Sequence, residues 1–220
     1  MTDLRAQAPR RPLASREKKW AKVLAQMLCG AGVSPNAISL LSLVFSVFAG
    51  IALWRSGDAN GALRVVLLLI AAASIQLRLL CNLLDGMVAI EGGRRTPYGE
   101  LFNDVPDRFA DAIIFVGAGY GLSAFPWGPA LGCLAALFAV LTAYVRLLGG
   151  TIGARQYFIG PMAKQHRMAV MTVACVLSTL EPLAGWHGQI LACALAVVVA
   201  GSMVTFVRRV ARIVADISAR

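Results

Sequence analysis

A polar segment lies between two long apolar runs of the chain: residues 82–111 read NLLDGMVAIEGGRRTPYGELFNDVPDRFAD. Carboxylate and amide side chains recur in it at offsets of three or four residues: Asn82, Asp85, Asn103, Asp107 and Asp111. Such offsets place side chains one above another on a helix. The segment therefore predicts two consecutive helices joined by a short Gly- and Pro-containing turn. We expect these helices to be antiparallel neighbours whose polar faces meet.

The rest of the chain is strongly apolar. Its 220 residues are 58% hydrophobic and only 15% charged, with a mean hydropathy of +0.70, whereas a soluble domain has about 25% charged residues. Six apolar runs are long enough, with their flanks, to cross a hydrocarbon core of about 30 Å. These runs are Ile38–Leu53, Ala62–Leu84, Phe109–Phe125, Trp127–Leu148, Met168–Leu183 and Ile190–Val207. A soluble bundle is excluded because too little polar sequence remains to cover it. We expect an all-α integral membrane protein, with six transmembrane helices in one membrane domain spanning residues 34–212.

The distribution of positive charge predicts the orientation of these spans. Most of the 21 Lys and Arg residues precede the first apolar run, follow the last one, or lie in the loops after the second and fourth. The positive-inside rule then places both termini in the cytoplasm and predicts a multi-pass protein of the inner, cytoplasmic membrane. The net charge of +10 is thus a topology signal, and no basic groove with interleaved aromatic residues indicates nucleic-acid binding.

The N-terminal residues divide into two parts. Residues 1–14 are rich in Pro, Arg and Ala and predict a mobile basic arm. Residues 15–30 predict an amphipathic helix in the headgroup plane of the membrane, with lysines on the opposite face. Its apolar residues recur at helical spacing: Trp20, Val23, Leu24, Met27 and Leu28. Ser34 as N-cap and Pro35 as first helical residue then begin the first span.

The polar segment is suited to the chemistry of hard cations. Two carboxylates with two amide oxygens at the membrane boundary form an oxygen-rich set that fits Mg²⁺ or Mn²⁺. Such an ion neutralises phosphate or diphosphate, and a carboxylate that does not bind the ion can accept a proton from a hydroxyl group. The same face could equally serve an ion pathway, so a small cation transporter is an alternative. A simple cluster of acids at a helix start would leave the spacing from Asp85 to Asp107 unexplained.

The spacing resembles the signature of the CDP-alcohol phosphotransferases, DxxDGxxAR followed by eight or nine residues and GxxxDxxxD. The matching positions are Asn82, Asp85, Gly86, Ala89, Ile90, Gly99, Asn103 and Asp107. The sequence Ser34-Pro35-Asn36-Ala37-Ile38-Ser39 also resembles the Pro-Asn-x-x-Thr entry of that family to its first span, with Ser in place of Thr. The resemblance covers residues 34–167 and agrees with six spans.

This resemblance implies an enzyme that transfers a phosphatidyl-type group from a CDP-linked lipid, most often CDP-diacylglycerol, to an alcohol, with release of CMP. It implies Asp107 as general base and a divalent metal bound by Asp85, Asp107, Asn82 and Asn103. The nucleotide contacts it implies are Asn36, Asn82, Asp85, Gly86, Ala89, Thr96 and Gly99. Phosphate on the acceptor would contact Arg155, Lys164 and Arg167. The family also implies a homodimer.

Three signature positions depart from the family pattern, because Asn82 and Asn103 replace Asp and Ile90 replaces Arg. The two Asn residues remove two of the four formal charges that would hold metal. Unit charges 4 Å apart interact by roughly 4 kcal/mol at an effective dielectric constant near 20, so this loss is large. A catalytically altered relative that binds CDP-lipid without transfer is therefore a second hypothesis. Nearby acids that could restore charge are Asp104, Asp111, Glu91 and Glu100.

Two further expectations concern residues next to the signature. Arg78 is expected to snorkel, to pair with Asp85, or to contact substrate in place of the missing Arg. Asp111 lies one turn beyond the matched pattern, and we expect Asp111→Ala to leave the fold intact.

Overall fold

The structure is a computed structural model that describes residues 19–91 and 99–219. Its helices are α1 (Lys19–Gly30), α2 (Pro35–Ser56), α3 (Gly61–Glu91), α4 (Gly99–Tyr120), α5 (Gly128–Thr151), α6 (Lys164–Ser178) and α7 (Gln189–Ser218), with a short 3-10 helix at Glu181–Ala184. The predicted arm at 1–14, the start of the amphipathic helix and Thr96 lie outside the described residues, as do the side chains of Glu91 and Glu100. The all-helical prediction is confirmed.

The predicted start of the first span is confirmed at the level of its cap. The hydroxyl of Ser34 accepts a hydrogen bond from the backbone N–H of Ala37 at 3.2 Å, and Pro35 is the first helical residue. The cap satisfies a backbone donor that the helix itself leaves without a partner, and Pro fits there because its missing N–H is not needed. The preceding helix α1 ends at Gly30, as its sequence predicts.

Helices α2 to α7 close into a ring. α2 packs against both α3 and α4, α3 packs against α6, α6 against α7, α7 against α5, and α5 against α4. Helix α4 also touches α7 across the ring. Among the described residues, the backbones of α3 and α4 make few close contacts, and the predicted meeting of these two helices is made by their polar side chains. Both helices pack against α2. Arg78 and Asn82 of α3 donate hydrogen bonds to Asp111 and Asp107 of α4 across the gap between the two helices.

Glycines allow the backbones of α2, α4 and α5 to approach closely. A Cβ atom on Gly117 of α4 would collide with the carbonyl oxygen of Gly50 on α2. On the other side of α4, a Cβ on Gly132 of α5 would lie 2.5 Å from the carbonyl oxygen of Phe115. Small residues at helix crossings are typical of membrane bundles, where close van der Waals packing replaces the hydrophobic effect.

The outer surface of the bundle is apolar. Large side chains such as Leu63, Leu137 and Val207 are more than half exposed, while the interior holds many alanines. Four helices are long and apolar enough to cross a membrane, among the described residues: Pro35–Ser56, Gly61–Ile90, Gly128–Thr151 and Gln189–Ser218. A multi-pass membrane protein follows from this pattern, because such an exposed apolar surface is not stable in water.

The amphipathic helix α1 contacts the bundle through small residues and not through the large apolar residues of its predicted apolar face. Ala21 and Ala25 are its fully buried residues and contact α3, whereas Trp20, Val23 and Met27 are about half exposed or more. Two small residues one turn apart let the helix backbone approach α3 closely. The large apolar residues therefore remain on the surface, where an interfacial helix would place them in lipid.

A buried polar cluster joins three segments at the beginning of α3. Arg64 donates to Glu181 at 2.6 Å and to the carbonyl oxygen of Ser56 at 3.0 Å, and its Nη1 lies 2.8 Å from Nε2 of His187. Glu181 also accepts from the backbone N–H groups of Gly188 and Ile190. We call this the Glu181 cluster. It holds the 3-10 helix and the start of α7 against α3.

Candidate active site

The predicted acidic positions meet in the polar gap between α3 and α4. Asp85 of α3 is 4% exposed, and its Oδ2 accepts a hydrogen bond from the hydroxyl of Ser39 on α2 at 2.7 Å. Its other oxygen, Oδ1, is buried and has no hydrogen-bond partner among the residues that the structure describes. A buried carboxylate oxygen without a partner is costly, so this atom is suited to a cation that completes the site.

Asp107 of α4 faces α3 and α6. Its Oδ1 accepts from the side-chain amide of Asn82 at 3.0 Å, and its Oδ2 lies 2.5 Å from Nζ of Lys164. Arg78 is farther away, at 3.6 Å from Oδ1. Asp85 interacts electrostatically with both Asp107 and Lys164. Asn82, one turn before Asp85 on α3, also donates to Asp107, so the two carboxylates and the ammonium lie on the same side of the gap. The prediction that the polar faces of the two helices meet is therefore confirmed.

Asp111 lies deeper in the bundle and joins two arginines. Its two oxygens bind Arg78 at 2.6 Å and Arg167 at 2.8 Å, and all three side chains are nearly inaccessible. Arg167 also donates to the hydroxyl of Thr142 and the carbonyl oxygen of Met162, so the network connects α3, α4, α5 and α6. Buried arginines need such partners because unpaired charges are very costly there. The expectation that Asp111→Ala leaves the fold intact is therefore replaced by one of destabilisation.

Arg78 pairs with Asp111 and not with Asp85. The choice follows from the helix geometry, since Arg78 lies two turns before Asp85 on α3 and reaches across to the later turns of α4. Its Nε and Nη1 atoms are buried without a hydrogen-bond partner. The guanidinium therefore keeps donor capacity beside the carboxylates.

Of the four acids that might restore the lost charge, the two whose side chains are described, Asp104 and Asp111, are paired with arginines instead. Asp111 is neutralised by Arg78 and Arg167, and Asp104 lies 3.1 Å from Arg108 and 3.3 Å from Arg146. Asp104 is also about a third exposed, at the outer side of α4. Among the described residues, Asp85 and Asp107 therefore remain the carboxylates at the signature positions.

The residues predicted to contact the nucleotide, the metal and the acceptor phosphate differ in burial and in their contacts. Asn36, Gly86, Ala89 and Gly99 are half-buried, whereas Asn103 is exposed. Arg155 is exposed in the segment before α6, where its backbone N–H donates to Asp216 at 2.9 Å. Of the three cations predicted for an acceptor phosphate, Lys164 and Arg167 are instead engaged by carboxylates.

Two residues of the site were not predicted. Ser39 holds Asp85, and Thr142 supports Arg167 from α5. Ser39 did carry a signal, because it occupies the last position of the motif at the start of α2. Thr142 carried none, since a lone Thr in an apolar helix usually bonds only to its own backbone.

The residues present fit one divalent cation and not two. The partnerless Oδ1 of Asp85 offers an anionic oxygen, and Asn82 lies one turn earlier on the same helix. Both oxygens of Asp107, however, have protein partners, one of them the ammonium of Lys164. Among the described residues, no group of three or more His, Cys, Asp or Glu side chains is placed to hold a metal ion.

Comparisons with known proteins agree with this architecture. No family model matches the chain. A phosphatidylinositol phosphate synthase of Cutibacterium acnes is 30% identical over 169 residues, which cover 73% of this chain and 76% of that protein. The inner membrane protein YnbA of Escherichia coli is 27% identical over 139 residues, which cover 63% of this chain and 64% of that protein.

Solved structures share the fold. Phosphatidylinositol phosphate synthase of Mycobacterium tuberculosis with CDP-DAG bound has a TM-score of 0.73 at 20% identity, covering 89% of this chain and 94% of that one. Its complex with manganese and citrate has a TM-score of 0.72 at 21% identity, covering 88% of each chain. Together with the identity to the Cutibacterium acnes relative and the signature spacing from Asn82 to Asp107, this likeness shows that the chain belongs to the CDP-alcohol phosphotransferase family.

Proposed function

We propose that this protein is a membrane phosphotransferase that moves a phosphatidyl-type group from a CDP-linked lipid to an alcohol and releases CMP. The observation that carries the proposal is the shared pocket of Asp85 and Asp107, which sit at the signature positions of the family. CDP-diacylglycerol is the donor we propose, since it is bound in a structure with the same fold. The product would enter phospholipid biosynthesis.

Asp107 is the residue we assign as general base. The hydroxyl proton of the alcohol passes to its carboxylate, the alcohol oxygen bonds to the lipid-bearing phosphorus, and the bond from that phosphorus to CMP breaks. General-base catalysis of this kind contributes about 10²–10⁴ in rate. Lys164 and Asn82 hold the carboxylate in a fixed orientation, so that it does not have to be ordered when the substrate binds.

Asp85 is the principal metal ligand in this proposal, with Asn82, Asn103 and Asp107 as the other candidates. Bound Mg²⁺ or Mn²⁺ would supply charge neutralisation for the diphosphate. Ser39 fixes the carboxylate of Asp85 and leaves Oδ1 directed to a cation. The cytidine nucleotide is assigned to the half-buried Asn36, Asn82, Gly86, Ala89 and Gly99 and the buried Asp85, together with Thr96, which lies outside the described residues.

The acceptor is an alcohol, and inositol phosphate is the first to assay because several relatives are named phosphatidylinositol phosphate synthases. Arg155 is the exposed cation we keep for phosphate on the acceptor. Lys164 and Arg167 contribute to that role only if they exchange a carboxylate partner for the phosphate.

Helices α2 to α7 are the six spans of this proposal, within one membrane domain at 34–212, and α1 lies at the interface. Four of the six meet the requirements of length and apolarity by themselves. α4 carries the charged site and α6 has only 15 residues, so they depend on the other helices to cross. Both termini would be in the cytoplasm of a cell with the protein in its inner membrane, and a homodimer is the proposed assembly.

The second candidate is a catalytically altered relative that binds CDP-lipid without transfer. It is favoured by the two Asn residues at signature positions and by the contact of Lys164 with the proposed base. A cation transporter is less favoured, because Asp107 and Asp111 are paired with Lys164, Arg78 and Arg167 and so do not offer free oxygens along a path for a cation.

The deciding experiment measures CMP release by the purified full-length protein from labelled CDP-diacylglycerol, with Mg²⁺ or Mn²⁺ and a panel of alcohols. We expect release with at least one alcohol and its loss in Asp107→Asn. Asp58→Asn is the matched control, since Asp58 is exposed in the loop between α2 and α3. CDP-lipid binding without CMP release under every condition would establish the second candidate. Metal flux into liposomes that persists in Asp107→Asn would establish the transporter.

A further inference from the structure

The described side chains of the polar pocket are electrically balanced. Among the residues that the structure describes, its acids and bases are equal in number: Asp85, Asp107, Asp111, Arg78, Lys164 and Arg167. Each phosphate of a diphosphate diester carries one negative charge, so a single divalent ion would neutralise the bound donor. A second divalent ion would leave an excess of positive charge in a buried site, which is costly.

The contacts of the two carboxylates show where the one ion belongs. Asp85 has an oxygen that is buried and partnerless, which is the state of a ligand atom before its cation binds. Asp107 has none, because Asn82 donates to one oxygen and the ammonium of Lys164 lies 2.5 Å from the other. The two carboxylates therefore differ in what they can accept.

We infer that Lys164 is a built-in cation that takes the place of a second metal ion, so that this protein binds one divalent cation, at Asp85, and holds its base Asp107 with an ammonium group. The two Asn residues at signature positions fit this arrangement, since a lysine supplies one charge where a divalent ion supplies two. The inference deepens the proposed function, and its test does not depend on turnover.

Lys164 is suited to the role by its position. It is the first residue of α6, so its side chain extends from the end of the helix toward α4, and it is about a fifth exposed. Its ammonium is held by the same helix that carries Arg167, whose pair with Asp111 anchors α6 to α4. The charge is thus supplied from a fixed element and needs no ion from solution.

The test counts Mn²⁺ ions on the full-length protein in detergent, with CDP present, by electron paramagnetic resonance and equilibrium binding. We expect one Mn²⁺ per chain and a spectrum without spin coupling, whereas two ions about 3.5–4 Å apart would be coupled. Lys164→Met should admit a second ion, and adding Asn82→Asp and Asn103→Asp should tighten it. Lys22→Met is the matched control, because Lys22 is exposed on α1.

Two coupled ions on the unaltered protein would overturn the inference, as would the absence of bound Mn²⁺. A stoichiometry of one that persists in Lys164→Met and in the triple variant would also overturn it. The count on the unaltered protein decides even if a variant fails to fold. One Mn²⁺ per chain together with no CMP release would refute the proposed function while leaving this inference standing.

Discussion

Two buried carboxylates lie at opposite ends of α3: Glu181 contacts the start of this helix through Arg64, and Asp85 is near its other end. Their side chains are almost equally buried, with Glu181 1% and Asp85 4% exposed, but their surroundings differ. Glu181 accepts from one arginine and two backbone N–H groups and has both oxygens occupied. Asp85 accepts from one serine hydroxyl and keeps an oxygen without a partner. Arg64, which holds Glu181, and Asp85 lie about 30 Å apart along α3. The comparison separates a polar cluster that is complete within the protein from one that a ligand must complete.

Proteins tolerate incomplete buried polar groups mainly where function requires them. The Glu181 cluster connects loops and the ends of helices, so its role is to stabilise the fold. The pocket of Asp85 and Asp107 includes a complete part as well, the pairs of Asp111 with Arg78 and Arg167. The function therefore rests on the incomplete part, and variants in the two regions should separate activity from stability.

The largest effect is expected for the base. Asp107→Asn should lower the rate of CMP release by about 10²–10⁴-fold, because the amide cannot accept the hydroxyl proton. Glu181→Gln, at the other end of α3, should leave the rate per folded molecule unchanged. Radiolabelled CMP release by both variants at equal folded concentration checks this pair. Equal losses in the two would mean that the site has been assigned to the wrong cluster.

Asp111→Ala should destabilise the protein by about 3–5 kcal/mol, because it leaves two buried arginines without their carboxylate. Asp104→Ala, on the same helix but about a third exposed, should cost no more than about 1 kcal/mol. Thermal unfolding in one detergent compares them. A stable Asp111→Ala variant would restore the sequence-based expectation that Asp111 is dispensable for the fold.

Glu181→Gln should cost about 1–3 kcal/mol, since a neutral amide weakens the pair with Arg64 and one of its atoms cannot accept the backbone N–H groups. The measurement is the shift in unfolding temperature relative to Asp58→Asn, an exposed carboxylate at the same end of the bundle. No shift would show that the cluster adds nothing to stability.

The smallest effect is expected for Ser39→Ala. The hydrogen bond of Ser39 holds the carboxylate of Asp85 in its orientation. Its loss should weaken the free energy of Mn²⁺ binding by about 1 kcal/mol, which corresponds to roughly a fivefold loss of affinity. Ser46→Ala is the control, since that buried hydroxyl on the same helix donates only to its own backbone. Equilibrium Mn²⁺ binding measures both, and identical affinities would show that Ser39 does not position Asp85.

The sequence predicted much of the fold because the relevant signals are local. The cap at Ser34 and the end of α1 at Gly30 each depend on a few adjacent residues. The sequence did not predict that α3 and α4 pack their backbones against α2 and meet each other through polar side chains. The glycines of α4 bring it against α2 and α5 instead.

The sequence did not predict which charged side chains form ion pairs with one another. Asp111 and Arg167 are separated by 56 residues, and Arg64 and Glu181 by 117. No spacing rule connects such residues, since their contact depends on how the helices are arranged in the ring. For the same reason, the sequence left open whether Arg78 snorkels, pairs with Asp85 or contacts substrate.

The sequence by itself determined that the chain is helical and apolar, and which carboxylates and amides lie on the faces of α3 and α4, because helical periodicity and hydropathy act over a few residues. Only the tertiary structure decided that Lys164 contacts Asp107, that Asp111 is neutralised by two arginines, and that one oxygen of Asp85 remains without a partner. Electrostatic interactions depend on distance in space, and the packing of α3, α4 and α6 sets those distances.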